Sequence, residues 1–346
     1  MCQNRRCTRE FVGTIRLQKE HSMRFARLGN VGTEIPVVID GDRTLDLRSI
    51  TADIDGAFLS GDGVERARAA VAAGELPEVG DAAALRIGAP IARPSAVYCV
   101  GMNYAAHAAE SGSEPPKQIV MFMKAPNTIV GPYDDVAIPR GSEKTDWEVE
   151  LGIVIGRRAS DLDSPAEARA HIAGFVMAND LSERDWQIAV SGGQWSKGKS
   201  APGFCPTGPW LATNDELNAD DVRLRSFVNG EPRQDSRTGD LIFDIDTIVW
   251  TLSQYLTLEP GDLVLTGTPE GVALSGRFPY LSAGDDRDQA AEFVAHGSVL
   301  PGRAGRVRLR CTAGAGRRGP RCRVRRRRRR RGRGSDRTGR RPRASR

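Results

Sequence analysis

The chain has 346 residues and a mass of 37.5 kDa, and its hydrophobic fraction of 39% allows one large domain or two ordinary ones. Its net charge of +6 conceals an asymmetry: the segment from Arg303 to the end holds 21 of the 50 basic residues and one of the 44 acidic residues. Residues 1–302 therefore carry 29 basic and 43 acidic side chains. So acidic a body excludes a protein that binds nucleic acid along its whole length.

The six cysteines are too few for a disulfide scaffold, and no Cys-x-x-Cys pair provides a zinc or thiol-redox motif. Only Cys99 and Cys205 lie in the body of the chain, which favours a reducing, cytoplasmic location. No apolar run approaches the roughly 20 residues that a membrane span needs. The first residues also lack the apolar centre of a signal peptide, so we expect no membrane partner.

The N-terminal part begins with residues 1–22, whose weak periodicity predicts a disordered extension ahead of Met23 or a flexible arm. From Met23 the apolar residues alternate, and a turn at Gly41-Asp42 predicts a hairpin. An Ala-rich helix and a polar linker are predicted between Gly61 and Leu85. We therefore expect residues 23–90 to form a small α+β N-terminal domain.

The main domain is predicted over residues 91–284, and most of it is extended. Buried strands are predicted at 95–101 and 174–180, and an Asn229-Gly230 pair predicts another hairpin. Residues 243–262 have apolar side chains at helical spacing and end at Pro260-Gly261. Many strands and few helices predict a mainly β fold of the α+β class rather than a doubly wound sheet.

The composition changes after Gly284, and residues 285–346 become a low-complexity basic tail. Like charges at this density repel one another, so we expect a disordered segment without a packed core. One interpretation is a tail that binds nucleic acid by releasing counterions. We favour a change of reading frame near Gly284, because Arg, Gly, Ala and Pro dominate when a GC-rich gene is read out of frame.

Three carboxylates form the first candidate site. Glu148 and Glu150 are two residues apart on a predicted strand and therefore point the same way, and Asp180 ends another core strand. Oxygen ligands without His or Cys favour Mg²⁺, with Mn²⁺ or Ca²⁺ as alternatives. Taken alone, however, two glutamates in this pattern are more often a solvated face of a strand.

Other candidates are a His–Glu pair, two lysines and a Gly-rich loop. His107 and Glu110 are three residues apart on a predicted helix, where the carboxylate would orient the imidazole as a general base; an exposed pair is the commoner alternative. Lys124 and Lys199 stand out because only six of the basic residues are lysines, and a buried lysine can stabilise an enolate. The loop around Thr268 can aim N–H groups at a carboxylate, or be only a turn.

Six segments, in this order, resemble the successive motifs of the fumarylacetoacetate hydrolase family over residues 23–284. They are CVGMNYAAHAAE, FMKAPNTIVGP, DWEVELGIVIG, GFVMANDLSERDWQ, KGKSAPGFCPTGPWL and VLTGTPEGV. The resemblance implies a mixed β-roll catalytic fold, a homodimer and a bound Mg²⁺ or Mn²⁺. Members of the family continue with further strands after the counterpart of LSAGD, and we expect this chain to lack them.

The resemblance also assigns roles by position. It implies catalysis by His107, Glu110 and Lys199, substrate binding by Tyr104, Lys124, Gln187 and Thr268, and metal binding by Glu148, Glu150 and Asp180. Arg184 and Asp185 match family positions without an assigned role.

The implied activity is metal-dependent hydrolysis of a C–C bond in a β-diketo acid, either an acylpyruvate or a diketo-deoxy sugar acid. The products would be pyruvate and a carboxylic acid. His107, oriented by Glu110, would take a proton from water, and Lys199 with the metal would stabilise the enolate. Two alternatives stay open: a 2-oxo acid isomerase or decarboxylase on the same site, and a nucleic-acid-binding protein that acts through its tail.

Overall fold

Short strands joined by turns make up most of the protein. The computed structural model describes residues 23–295, 298–301 and 306–311, with side chains as far as Asp285. In these ranges the strands are β1 (Arg24–Leu28), β2 (Ile35–Asp40), β3 (Arg43–Asp46), β4 (Val97–Gly101), β5 (Val120–Lys124), β6 (Ile129–Val130), β7 (Val136–Ile138), β8 (Thr145–Asp146), β9 (Val149–Ile155), β10 (Ile172–Asn179), β11 (Ser182–Glu183), β12 (Cys205–Pro206), β13 (Leu211–Thr213), β14 (Arg223–Val228), β15 (Glu231–Arg237), β16 (Leu263–Leu265), β17 (Asp286–Ala295), β18 (Ser298–Pro301) and β19 (Arg306–Cys311).

Helices are few and short. The α-helices of the described ranges are α1 (Gly56–Ser60), α2 (Gly63–Ala73), α3 (Ala105–Glu110), α4 (Ser196–Lys199) and α5 (Ile245–Ser253). Turns of 3₁₀-helix cover Ala82–Ala84, Pro126–Thr128, Pro165–His171, Ala219–Asp221, Thr238–Asp240 and Ala273–Ser275, and a π-helical turn covers Asp185–Ala189. In α5 the buried side chains recur at helical spacing, and Asp244 caps the helix by accepting from the Thr247 N–H. None of the described helices is long and apolar enough to cross a membrane.

One nine-stranded sheet runs through the molecule in the order β3-β2-β1-β13-β10-β9-β16-β4-β5. Its neighbours are antiparallel except β16 and β4, which are parallel. Phe25 of β1 pairs with Leu211 of β13, and its side chain shares a core with Cys99 and Val154. Strands of residues 23–90 thus share a sheet and a core with strands of the main body.

The centre of this sheet places the candidate carboxylates. All seven residues of β9 are buried, which fits a strand covered on both faces. Strand β10 pairs with it so that Ala178 lies opposite Glu150, and the Asp180 N–H donates to the Glu148 carbonyl at 2.9 Å. Glu148 and Asp180 therefore lie at the same end of the pair, although they are 32 positions apart in the sequence.

Three strands lie beyond Gly284, where the sequence analysis expects none. Strand β17 pairs with β14, β18 and β19 pair with β17, and β19 pairs with β7, giving a second sheet in the order β15-β14-β17-β19-β7. The expectation of missing final strands is therefore wrong for the backbone up to residue 311. Main-chain pairing along β14 supplies the hydrogen bonds, and this pairing does not require apolar alternation.

The remaining parts of the predicted extension and tail, residues 1–22, 296–297, 302–305 and 312–346, lie outside the described residues. Their disorder stays a prediction, as do the domain boundaries. The described part is mainly β with short helices, which confirms the predicted fold class.

Candidate active site

Glu148, Glu150 and Asp180 meet at the end of the β9–β10 pair. Each offers one carboxylate oxygen, and these oxygens all lie within 4.8 Å of one another. The residues are 4%, 1% and 0% exposed. The structure thus brings together the three residues that the sequence analysis selects as metal ligands.

Buried cations surround these carboxylates. Lys199 Nζ lies 2.6 Å from Glu148 Oε2 and 2.8 Å from Asp180 Oδ2, and Lys124 Nζ lies 2.6 Å from Asp180 Oδ1. Arg184 Nη1 lies 2.7 Å from Glu148 Oε1. Ion pairs that are this well buried need good geometry and complete hydrogen bonding to offset the loss of hydration.

Glu150 differs from its two neighbours. Burial would raise the pKa of Glu148, but Lys199 and Arg184 hold that pKa at about 2. Burial raises the pKa of Glu150 well above its usual range, and the Asp180 and Glu148 carboxylates add to this effect. The Gly267 N–H donates to Glu150 Oε2 at 2.7 Å, but no basic side chain of the described ranges forms an ion pair with it.

This charge pattern fits a divalent cation. The donor set consists of carboxylate oxygens, which are the ligands that Mg²⁺, Mn²⁺ and Ca²⁺ prefer. The Lys199 ammonium group lowers the pKa of Glu150 only in part, and a cation beside Glu150 would supply the ion-pair partner that no described side chain supplies. The residues present therefore fit the metal that the sequence resemblance implies.

His107 and Glu110 form the predicted pair on α3. His107 is 6% exposed, and its Nδ1 lies 3.0 Å from Glu110 Oε1. The Gly271 N–H holds the Glu110 carboxylate in place, because it donates to both carboxylate oxygens at 3.0–3.1 Å. With the proton on Nδ1, this carboxylate holds the imidazole in the tautomer that leaves Nε2 free as a base.

A cavity of about 250 Å³ opens onto this group of residues. It is smaller than the pockets that hold drug-sized ligands, which start at roughly 300 Å³, so it suits a small substrate. The predicted residues that line it are His107, Glu148, Glu150, Arg184, Gln187, Lys199 and Thr268.

Five predicted residues do not line the cavity: Glu110, Asp180, Lys124, Tyr104 and Asp185. Lys124 contacts Asp180 and the Leu181 carbonyl rather than the cavity wall. Tyr104 is 1% exposed, and its hydroxyl has no hydrogen-bond partner in the described part. Asp185, which had no assigned role, forms a half-exposed ion pair with Lys144 at 2.7 Å.

Two buried residues complete the site and were missed from the sequence. Asp146 accepts from Arg184 Nε at 2.8 Å and from the Ala273 and Leu274 N–H groups at 2.8 and 2.9 Å, so it fixes both the guanidinium and a wall of the cavity. Gln234 of β15 donates to Thr268 Oγ1 at 2.7 Å. The sequence did contain a signal for Asp146, because every second residue from 146 to 150 is acidic and these side chains lie on one face of a strand. Gln234 lies in a polar strand whose sequence gives no sign that this residue is buried.

Comparison with known proteins identifies the family. The model described as fumarylacetoacetate (FAA) hydrolase C-terminal matches residues 96–309, and the chain belongs to the fumarylacetoacetate hydrolase family. The match continues past Gly284, in agreement with the strands found there. A Burkholderia multivorans (strain ATCC 17616 / 249) protein that carries a hydrolase name is 44% identical over 267 residues, which cover 76% of this chain and 93% of the relative.

Solved structures with the same fold include an isomerase and a hydrolase. The 5-carboxymethyl-2-hydroxymuconate delta-isomerase from Mycobacterium smegmatis is 32% identical with a TM-score of 0.64, covering 84% of this chain and all of that one. Maleylpyruvate hydrolase from Sphingobium sp. SYK-6, solved with manganese(II) and pyruvate, is 25% identical with a TM-score of 0.66, covering 84% of this chain and 99% of that one. The family therefore includes hydrolases and isomerases.

Proposed function

We propose that the protein is a divalent-metal-dependent hydrolase that cleaves a C–C bond in a β-diketo acid, an acylpyruvate or a diketo-deoxy sugar acid, to give pyruvate and a carboxylic acid. The observation that carries the proposal is one cavity lined by His107 and by Glu148 and Glu150, two of the three clustered carboxylates. The manganese and pyruvate in the related maleylpyruvate hydrolase support it, as does the hydrolase name of the Burkholderia relative.

Glu148, Glu150 and Asp180 are the residues that would hold the cation, Mg²⁺ or Mn²⁺. When bound, the cation supplies a Lewis acid that polarises the 2-oxo acid end of the substrate. Burial would lower the pKa of Lys199, but Asp180 and Glu148 raise it above its usual value, so the amine stays an ammonium group at the cavity wall. Its charge can therefore offset the negative charge of an enolate.

The chemistry begins with water and His107. The imidazole takes a proton from water, and hydroxide adds to the carbonyl carbon C4 of the substrate. The C3–C4 bond then breaks, and its electron pair stays on C3 as pyruvate enolate. His107 returns the proton to C3, so that water has supplied OH to the acid and H to pyruvate.

Chelation tests the metal requirement. Treatment with EDTA should abolish pyruvate formation from 2,4-dioxopentanoate, because no cation would then polarise the 2-oxo acid end of the substrate. Addition of Mg²⁺ or Mn²⁺ should restore the activity. Pyruvate is followed directly, with added pyruvate as the control for the detection step. Undiminished turnover after complete removal of divalent metal would contradict the proposal.

A 2-oxo acid isomerase or decarboxylase is the second candidate, favoured by the likeness to the Mycobacterium smegmatis isomerase. These reactions need the metal site but no activated water. A His107→Ala variant should lose about 10²–10⁴-fold in hydrolysis. His171, which does not line the cavity, provides the matched control as His171→Ala. Full turnover in His107→Ala would favour the second candidate.

The homodimer implied by the family resemblance is also proposed here. Sedimentation equilibrium of the full chain measures its mass, and a monomer at micromolar concentration would contradict it.

A further inference from the structure

We infer that the cavity selects β-diketo acids whose acyl group is neutral and mainly apolar over those whose acyl group ends in a second carboxylate. This inference rests on the hydrolase proposal for the reaction, but it concerns the part of the cavity that would receive the departing acyl group. It follows from the apolar wall of the cavity and from the pairing of its cations.

The apolar wall begins beside the catalytic lysine. The Phe122 ring centroid lies 5.0 Å from Lys199 Nζ and 5.5 Å from the ring centroid of Trp195. Trp195 is held in place by Gly101, where a Cβ atom would lie only 2.5 Å from the indole ring. Both aromatic rings line the cavity, so a substrate that extends away from the carboxylates meets a fixed apolar surface.

The wall continues to the cavity mouth. Ile188 also lines the cavity and is 56% exposed, whereas Phe122 is 7% exposed. Met102 and Leu274 add apolar lining. The lining of the cavity therefore changes from buried carboxylates at its inner end to aromatic and aliphatic side chains towards its mouth. Each substrate methylene that these apolar side chains cover should raise the binding constant about fourfold.

The basic side chains that line the cavity are already paired with carboxylates. Among the described lining residues the basic side chains belong to His107, Lys199 and Arg184. Glu110 lies against His107, and Glu148 lies against both Lys199 and Arg184. Arg184 Nη2 has no partner, but its guanidinium lies between two carboxylates, those of Asp146 and Glu148.

A second substrate carboxylate would therefore be buried without a cation of its own, which is strongly unfavourable. A single hydroxyl is different, because Ser111 Oγ lines the cavity region and is buried without a partner in the described part. The cavity can thus accept one hydroxyl on the acyl chain, but it offers no countercharge to an anion.

A matched pair of substrates tests this inference. In 2,4-dioxoheptanoate and 2,4-dioxoheptanedioate only the end of the acyl chain differs, a methyl group in the first and a carboxylate in the second. With Mg²⁺ or Mn²⁺ present, kcat/KM should be at least about tenfold higher for the monoacid. It should also rise about fourfold per methylene from 2,4-dioxopentanoate to 2,4-dioxoheptanoate. The 7-hydroxy derivative should lie between the monoacid and the diacid.

Two variants separate charge at the cavity wall from charge elsewhere. Ile188→Arg adds a cation to the wall and should raise the ratio of diacid to monoacid turnover by at least about tenfold. Val190→Arg is the matched control, because Val190 is similarly exposed at 60% but does not line the cavity. An unchanged ratio in Ile188→Arg, or an equal change in Val190→Arg, would overturn the inference.

Binding gives a readout that does not need turnover. Titration calorimetry with 2-oxoheptanoate and 2-oxoheptanedioate, with Mg²⁺ present, should show tighter binding of the monoacid. Equal or tighter binding of the diacid, or no binding of either, overturns the inference. Preference for the monoacid without hydrolysis of any diketo acid would overturn the proposed function and leave the selectivity standing.

Discussion

Gln234 Nε2 donates to Thr268 Oγ1 at 2.7 Å, and Thr268 Oγ1 in turn donates to the Val149 carbonyl at 3.0 Å. Gln234 Oε1 accepts from the Val149 N–H at 3.0 Å. One buried amide thus ties the Gly-rich loop to the strand between Glu148 and Glu150. The Thr268 proton is engaged by the backbone, so this hydroxyl can accept from a substrate but donates to one only by giving up the Val149 contact.

Replacement of this amide should weaken the fold and the site together. In Gln234→Leu the Val149 N–H and the Pro269 carbonyl, 2.8 Å from Gln234 Nε2, lose buried partners. We expect the free energy of unfolding in urea to fall by about 2–5 kcal/mol, since each unpaired buried group costs about 1–3 kcal/mol. Gln118→Leu, at an exposed glutamine, should change it by less than about 0.5 kcal/mol. A similar loss in both variants would contradict this role for Gln234.

Lys124 should matter for stability far more than an exposed lysine. Lys124→Met leaves Asp180 buried with one cation fewer, and we expect a loss of about 3–5 kcal/mol in the free energy of unfolding. Lys144→Met removes a pair in which both side chains are 45% exposed, and should cost at most about 1 kcal/mol. Urea unfolding of both variants measures the two losses. Equal losses in the free energy of unfolding would contradict the larger contribution expected of the buried pair.

Cys99 and Cys205, the cysteines whose side chains the structure describes, should be unreactive in the folded protein. Burial raises the pKa of Cys205 to about 11 and that of Cys99 well above its usual value. At pH 8 only about 0.1% of Cys205 is then thiolate, the form that reacts. Iodoacetamide should modify both only after unfolding in urea, as read by peptide mass mapping; rapid modification of the native protein would contradict the predicted burial.

The raised pKa of Cys205 also predicts how the free energy of unfolding depends on pH. Because the unfolded thiol loses its proton near the ordinary pKa of 9.0 and the folded Cys205 thiol only near 11, the contribution to folding is complete below the lower value. It decreases as the pH rises from 9 towards 11. Cys205→Ala should therefore show a shallower loss of unfolding free energy than the parent chain over that interval.

The ligand cluster could be predicted from the sequence because its causes are local. Alternation fixes Glu148 and Glu150 on one side of a strand, and Asp180 ends a recognisable apolar run. The partners of these residues could not be predicted in the same way. Lys124 contacts Asp180 from a strand far away in sequence, and Gln234 lies in the polar segment EPRQDSR, where no apolar period marks a buried side.

The strands after Gly284 were missed for a different physical reason. Segment 286–295 is rich in charge, which lowers its intrinsic tendency to form a strand. Its backbone nevertheless pairs with β14 from Arg223 opposite Glu292 to Val228 opposite Arg287. Strand formation there depends on an edge supplied by distant residues, and a window of sequence contains no information about that edge.

Residues 312–346 should be dispensable for the enzyme. The family match ends at residue 309 and the last described strand ends at Cys311, and the described residues of the second sheet and of the cavity all precede the Arg-rich run. A chain that ends after residue 311 should keep its pyruvate-forming activity, and its Tm should stay within about 4 °C of the full chain. If the segment instead binds nucleic acid, its removal should abolish an affinity that falls steeply with salt.

The change of reading frame near Gly284 can be tested by reading the gene in its other two frames past codon 284. If neither frame encodes alternating apolar residues and a Gly-rich turn, the frame-change interpretation is wrong and the basic tail requires a function of its own.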